Sequence, residues 1–230
     1  MIKFENAEVM NFEGAFRGMR NPLNSWDKSD SGSRCLSCEN YDFCEVTECE
    51  FRNMTFKIGP NDLDLARRLI KAGSDHRKFL RQIFVSVDIT APLYWWKEFD
   101  TYKVATVANS CSTMHKIHVK EIELSDFSFE SFDLEDVGGV QLSVRDLFIN
   151  VVADCEYLRK KYLETKDRKY WRALIQLLPE SYNQKRTVTL NYETLRNIYG
   201  SRRGHKLSEW SVGFMEWIES LPYAGDLITS

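Results

Sequence analysis

Four of the six cysteines, Cys35, Cys38, Cys44 and Cys49, fall within one 15-residue stretch with the spacing Cys-x2-Cys-x5-Cys-x4-Cys. Four thiolates this close can close a tetrahedral zinc site or hold an iron–sulfur cluster, and the tight first pair suits either. Structural zinc is the simplest version: it would pin an insertion at about residues 32–52 and leave no open coordination position. The plain alternative is four free or adventitiously oxidised thiols. A second set precedes the cysteines. Arg17, Arg20 and Ser25 stand in a segment, Arg17 to Asp30, rich in side chains that donate to phosphate. A third is the polar loop carrying Lys103, Thr106, Asn109 and Ser112, which reads equally as a solvated surface loop. A fourth is the basic run Arg202-Arg203-Gly204-His205-Lys206, and most such runs are solvated faces. Cys111 beside Ser112 has the chemistry of a nucleophile, but a lone cysteine with no placed base is more often a small buried side chain.

The elements that must position these residues follow from hydrophobic periodicity. Ile2 to Phe12 reads as a strand, and Phe12 to Met19 as a short amphipathic helix. Asn21 to Ser33 is dense in turn formers and reads as a loop. Asn61 or Asp62 caps a helix through Leu63, Leu65, Ala66, Leu69 and Ile70 to Gly73. Gln82 to Thr90 is a β-branched and aromatic strand stopped by Ala91-Pro92, and Pro92 opens a helix with Leu93, Tyr94, Trp95, Trp96 and Phe99. Asp126 to Gly139 reads as a surface excursion. Ser143 caps the clearest helix, with Asp146 three residues on and a stripe from Val144 to Tyr162. Trp171 to Leu178, Tyr192 to Tyr199 and Leu207 to Leu221 read as helices and Arg186 to Leu190 as a short strand. Strands interleaved with helices predict an α/β or α+β layer fold over a pure bundle.

The run from Ile83 through Ala91-Pro92 and Tyr94-Trp95-Trp96 to His115 resembles the core of the flavin-dependent thymidylate synthases. There, a strand, an Ala-Pro break and an aromatic helix lead into a signature loop. That loop falls here at Thr101-Tyr102-Lys103, Thr106, Asn109-Ser110, Ser112 and Met114-His115, with one residue inserted after Val107. The resemblance resumes at Leu177-Leu178-Pro179, Thr187 to Asn191, Asn197, Arg202 and Glu209-Trp210. It implies an α/β (α+β) fold with a central, mostly antiparallel sheet flanked by helices, and a flavin, FAD, faced by Gln82, Asn191 and Asn197. It further implies a pyrimidine nucleotide such as dUMP, approached by Arg202, Lys103, Ser112 and Asn109 and closed over by Arg17, Arg20 and Ser25, with a folate as one-carbon donor and a homotetramer sharing its sites. The chain departs from the family where signature arginines become Thr101, Lys103 and Met114, where another arginine becomes Ile175, and where a strand histidine becomes Gln82. Lysine meets phosphate as a point charge and cannot chelate it as arginine does.

With 230 residues, 43% of them hydrophobic, the chain has the size and core of a single domain. Its 31 basic and 34 acidic residues nearly cancel, so neither nucleic acid nor a membrane is an expected partner of the whole. The apolar runs are short and interrupted, as in Phe84–Val87 and Ile149–Ala153, far short of the roughly 20 residues of a span. Met1-Ile2-Lys3-Phe4-Glu5 has no signal-peptide core, and the expected setting is cytoplasmic. Three functions are compatible with these features. The first is flavin-dependent one-carbon transfer to a pyrimidine deoxynucleotide. The second is a nucleotide-binding accessory protein, of phage or mobile-element type, that keeps the cleft and has lost catalysis. The third is a cysteine loop that docks protein or nucleic acid, supported only by the Arg202–Lys206 charges.

Overall fold

The computed structural model describes residues 2–35, 54–132 and 143–230, and the side chains of Cys35 and Met54 fall outside that description. Strand β1 (Lys3–Met10) leads into helix α1 (Phe12–Arg20), whose buried Phe12, Ala15, Phe16 and Met19 recur at helical spacing. Strands β2 (Gly32–Cys35) and β3 (Met54–Lys57) form an antiparallel ribbon, Gly32 opposite Lys57 and Cys35 opposite Met54, which brings the two ends of the cysteine-bearing segment together. Helix α2 (Pro60–Ala72) comes next, then a 3-10 turn over Lys78–Gln82, β4 (Phe84–Pro92), α3 (Leu93–Phe99) and the short β5 (Val107–Ser110). The long α4 (Val144–Thr165) and α5 (Arg168–Leu177) precede β6 (Asn183–Asn191) and α6 (Tyr192–Arg202). A π-helical stretch over Glu209–Phe214, α7 (Met215–Ser220) and α8 (Ala224–Leu227) close the chain.

The sheet order is β1-β4-β6-β5. Three bonds fix the antiparallel pairing of its two central strands. Tyr192 N–H donates to the Ile83 carbonyl (3.0 Å), Thr187 Oγ1 to Asp88 Oδ1 (2.6 Å) and Leu93 N–H to the Tyr182 carbonyl (3.0 Å), so 83, 88, 93 on one side meet 192, 187, 182 on the other. In β4 the alternation is strict, with Val85, Val87, Ile89 and Ala91 fully buried. The predicted class, helices flanking an antiparallel sheet, is the class observed.

Two compact units share this chain, one of Met1–Asn6, Val87–Lys103 and Val107–Val188, the other of Ala7–Ser86, Val104–Thr106 and Thr189–Ser230. In the first, Ile117, Ile122, Phe127, Phe148, Val152, Cys155 and Leu174 form the core, and Trp95, Trp96 and Phe99 form a tight aromatic group with centroids 4.9–5.4 Å apart. In the second, Phe12 packs on Phe56, Tyr192 and Tyr223 with centroids 5.6–5.8 Å apart, and Phe16 meets Phe56 and Phe79.

Several local expectations change. Helix α2 starts at Pro60, with Gly59 in the N-cap position, so neither Asn61 nor Asp62 caps it. Asp30 does so from a distant segment, its carboxylate accepting from Asn61 N (2.9 Å) and Asp62 N (3.0 Å). Gly59 must be glycine there, because a Cβ would stand 2.2 Å from Asp30 Cγ and 2.5 Å from its carbonyl oxygen. The start of the expected surface excursion is core, Phe127 being 4% exposed. Gln82 ends the 3-10 turn and does not open β4. Ser143 caps α4 as predicted, accepting from Asp146 N at 3.0 Å.

Candidate functional site

The phosphate-donating segment folds as the end of α1 and the turns after it. Arg20 is 4% exposed, and its guanidinium is committed to Asp62 at 2.7 Å, with further contacts to Ser25 Oγ (3.5 Å) and the Lys28 carbonyl (3.1 Å). Asp62 also accepts from Ser29 Oγ (2.8 Å) and from the amides of Ser31 (3.1 Å) and Asp30 (3.3 Å). Burial raises the Asp62 carboxyl, but the hydrogen bonds from Ser31, Ser29 and Arg20, with the Arg20 charge, hold it below its ordinary value. Ser25 is buried at 7% exposure. Arg17, one turn before Arg20, is exposed. It lines a cavity of about 370 Å³ with the carboxylate-bearing Glu13 and with Phe16, Arg20, Trp26, Ser29, Ser31 and Phe56. Trp26, 52% exposed, lines the same cavity with its Nε1–H donated to Asn21 Oδ1 (2.8 Å), and the volume suits a nucleotide-sized ligand.

Gln82, Asn191, Asn197 and Arg202 belong to the same unit. The Lys78–Gln82 turn packs against both α1 and α6. The exposed Gln82 accepts from Asn11 Nδ2 at its carbonyl (2.9 Å). Asn191 is 4% exposed and serves as the N-cap of α6, its Oδ1 accepting from Thr194 N at 2.9 Å. Asn197 is exposed, and its Oδ1 lies 3.5 Å from Arg77 Nη2. Arg77 pairs with Glu193 at 2.8 Å, a partnership the sequence reading missed because its members are 116 positions apart. Arg202, the last residue of α6, has its guanidinium 5.1 Å from the centre of the Trp210 ring.

Lys103, Asn109 and Ser112 sit in the other unit, all exposed, with Asn109 on β5, an end strand of the sheet. Ser112 Oγ accepts from His115 N at 2.9 Å and so closes a turn. Cys111 is exposed, whereas Cys155 is buried and its thiol is pushed up to about 11 by burial and by Asp154.

A family-like clamp on the flavin and nucleotide phosphates would need cations where the signature arginines stand. Thr101 there spends its hydroxyl on the Glu98 carbonyl (2.7 Å), Met114 is apolar and 49% exposed, and Ile175 packs on an apolar core. These three positions do not fit a bidentate phosphate clamp. Cys38, Cys44, Cys49 and the Cys35 side chain lie outside the described residues. Among the described residues no group of three or more His, Cys, Asp or Glu could hold a metal ion. Nor is any helix among them long and apolar enough to cross a membrane.

No protein-family model and no curated protein matches the chain. Solved structures do. A crystal structure of thymidylate synthase X (ThyX) from Helicobacter pylori with FAD and dUMP superposes with a TM-score of 0.67 at 14% identity, over 100% of this chain and 98% of that one. A structure of flavin dependent thymidylate synthase ThyX from the same organism, complexed with FAD and dUMP, gives 0.65 at 14% identity, over 97% and 98%. At that identity the likeness is one of fold, and it extends along the whole chain.

Proposed function

We propose that this chain binds a pyrimidine deoxynucleotide on a flavin-dependent thymidylate synthase-like scaffold. The observation that carries the reading is the superposition, at TM-score 0.67 and along its full length, on a structure solved with FAD and dUMP. Arg17 supplies the cation and Trp26 the stacking face, because Arg20 is neutralised by Asp62, the Ser29 and Ser31 hydroxyls already donate to that carboxylate, and Ser25 is buried against Arg20. Arg202 is proposed as a further polar group toward the nucleotide, and Lys103, Asn109 and Ser112 are proposed as nucleotide-binding groups of their own unit.

Titration with dUMP, followed by calorimetry, tests this. Binding by the wild type, weakened about tenfold in Arg17→Ala, is the expected result. No heat and no thermal stabilisation at millimolar dUMP would remove the proposal.

Flavin-dependent one-carbon transfer is the second reading, favoured by the FAD in both solved structures. Flavin would supply the redox chemistry that turns a folate-borne carbon into a methyl group. Gln82, Asn191 and Asn197 are the residues proposed on its side, and the tetramer belongs to this reading. Protein that purifies colourless and takes up no FAD on reconstitution would leave nucleotide binding without catalysis. The cysteine cluster is proposed as a structural zinc or iron–sulfur site on spacing alone. A metal stoichiometry near zero after anaerobic purification would end that idea.

A further inference from the structure

The segment carrying Lys103 and Asn109 leaves α3 after Asp100, joins the sheet as β5 (Val107–Ser110) beside β6, and reaches Cys111. Both of its ends are tied to the Gln184–Arg186 run of β6. At the outgoing end, Arg186 Nη1 donates to Asp100 Oδ1 at 2.8 Å, and the Arg186 guanidinium lies 4.2 Å over the ring of Trp96. Trp96 in turn donates its buried Nε1–H to the Gln184 carbonyl at 2.9 Å. At the returning end, Gln184 Nε2 donates to the Cys111 carbonyl at 2.6 Å, and Cys111 N–H donates to the Lys185 carbonyl at 2.9 Å. Arg186 Nε donates to Gln184 Oε1 at 2.9 Å and joins the two ends.

The result is one directed chain, carboxylate of Asp100, guanidinium of Arg186, amide of Gln184, carbonyl of Cys111, in which every link has a single possible polarity. The Gln184 amide can face only one way, because its oxygen must accept from Arg186 and its nitrogen must donate to Cys111. The centre of this chain is sheltered, Gln184 being 7% exposed and the Arg186 side chain 13%, while the Asp100 end is open to solvent with its side chain 52% exposed. A lysine at 186 could not hold Asp100 and Gln184 at the fixed angle of the guanidinium fork, nor stack on Trp96 in the same way. None of the residues that resemble the synthase signature takes part. The device is separate from that pattern and lies on a strand that the sequence reading began only at Arg186.

We propose that Arg186 and Gln184 are positioning residues that clamp the two ends of the Thr101–Ser110 segment, beside the pairing of β5 with β6, and so set the placement of Lys103 and Asn109. The fastening itself stands on the geometry; its consequence for ligand binding rests on the nucleotide reading above.

Two measurements on the full chain separate the parts. In hydrogen exchange without ligand, Gln184→Glu replaces the donor to Cys111 with a second acceptor, and Arg186→Ala removes the central link. Each variant exchanges the Tyr102–Ser110 amides about tenfold faster than wild type, while Val85–Ile89 of β4 is unchanged. Arg186→Lys gives a smaller acceleration than Arg186→Ala. The pair Gln184→Ala and Arg186→Ala, combined, accelerates the loop no more than the stronger single change, because both cut one chain. Loop exchange equal to wild type in Gln184→Glu, Gln184→Ala and Arg186→Ala overturns the clamp. In dUMP titration, the same variants weaken binding about tenfold. Faster loop exchange with unchanged dUMP affinity overturns the positioning role. A wild type that ignores dUMP removes the nucleotide reading and leaves the clamp to be decided by exchange alone.

Discussion

Replacing Asp62 with asparagine probes the interaction that holds α1, the following turns and α2 together. The Arg20 and Asp62 side chains are 5% and 0% exposed and meet at 2.7 Å, so the substitution leaves a buried guanidinium without a counter-charge. Breaking one side of a buried pair costs about 3–5 kcal/mol. The new side-chain amide would also turn its nitrogen toward the Ser29 and Ser31 donors, which sit 2.8 and 3.1 Å from the native oxygen. For a chain of this length the cost corresponds to a fall in Tm of about 6–20 °C, readable by calorimetry. The double change Arg20→Met with Asp62→Leu removes both charges and loses less than Asp62→Asn alone. Acid adds a second signature. Because the folded carboxyl is held below its ordinary 3.8, its stabilisation is complete above that pH and is lost as pH falls through the lower folded value. Wild type and Asp62→Asn therefore converge on acidification. A loss under about 1 kcal/mol at neutral pH would refute the view of Arg20 as structurally committed and return it to the candidate phosphate ligands.

Glu156 is held down to about 2, chiefly by its hydrogen bond from Arg159, against the opposing effect of burial. Its contribution is present above its unfolded value of 4.5 and fades toward pH 2, so the Tm deficit of Glu156→Gln shrinks between pH 7 and pH 2.5. Gly59→Ala forces a methyl to within 2.5 Å of the Asp30 backbone and costs about 1–3 kcal/mol in urea unfolding. Mass-mapped alkylation of native protein at pH 8 labels Cys111 and spares Cys155, whose thiol is buried and raised to about 11; equal labelling of the two would contradict that environment.

Periodicity carried much of the fold. Strict alternation in Val85–Ala91, the Ser143 cap and the spacing of Phe12, Ala15, Phe16 and Met19 are local signals, and each element appeared close to where its pattern lay. Boundaries failed where a distant residue finished the element. Asp30 caps α2 from outside it, and β6 extends back to Asn183, where Gln184 and Lys185 find partners in Trp96 and Cys111.

For the candidate site, residue types were legible and their availability was not. The sequence by itself determined which side chains could meet a phosphate, that Lys103 stands where a signature arginine would, and that four cysteines share one short segment. Only the tertiary structure decided that Arg20 is neutralised while Arg17 is exposed, that Asn191 spends its oxygen on a helix cap, and that Gln184 and Arg186 tie off the loop. The reason is physical. Whether a charge is free depends on what lies within about 4 Å of it, and that neighbour can be 42 positions away, as Asp62 is from Arg20.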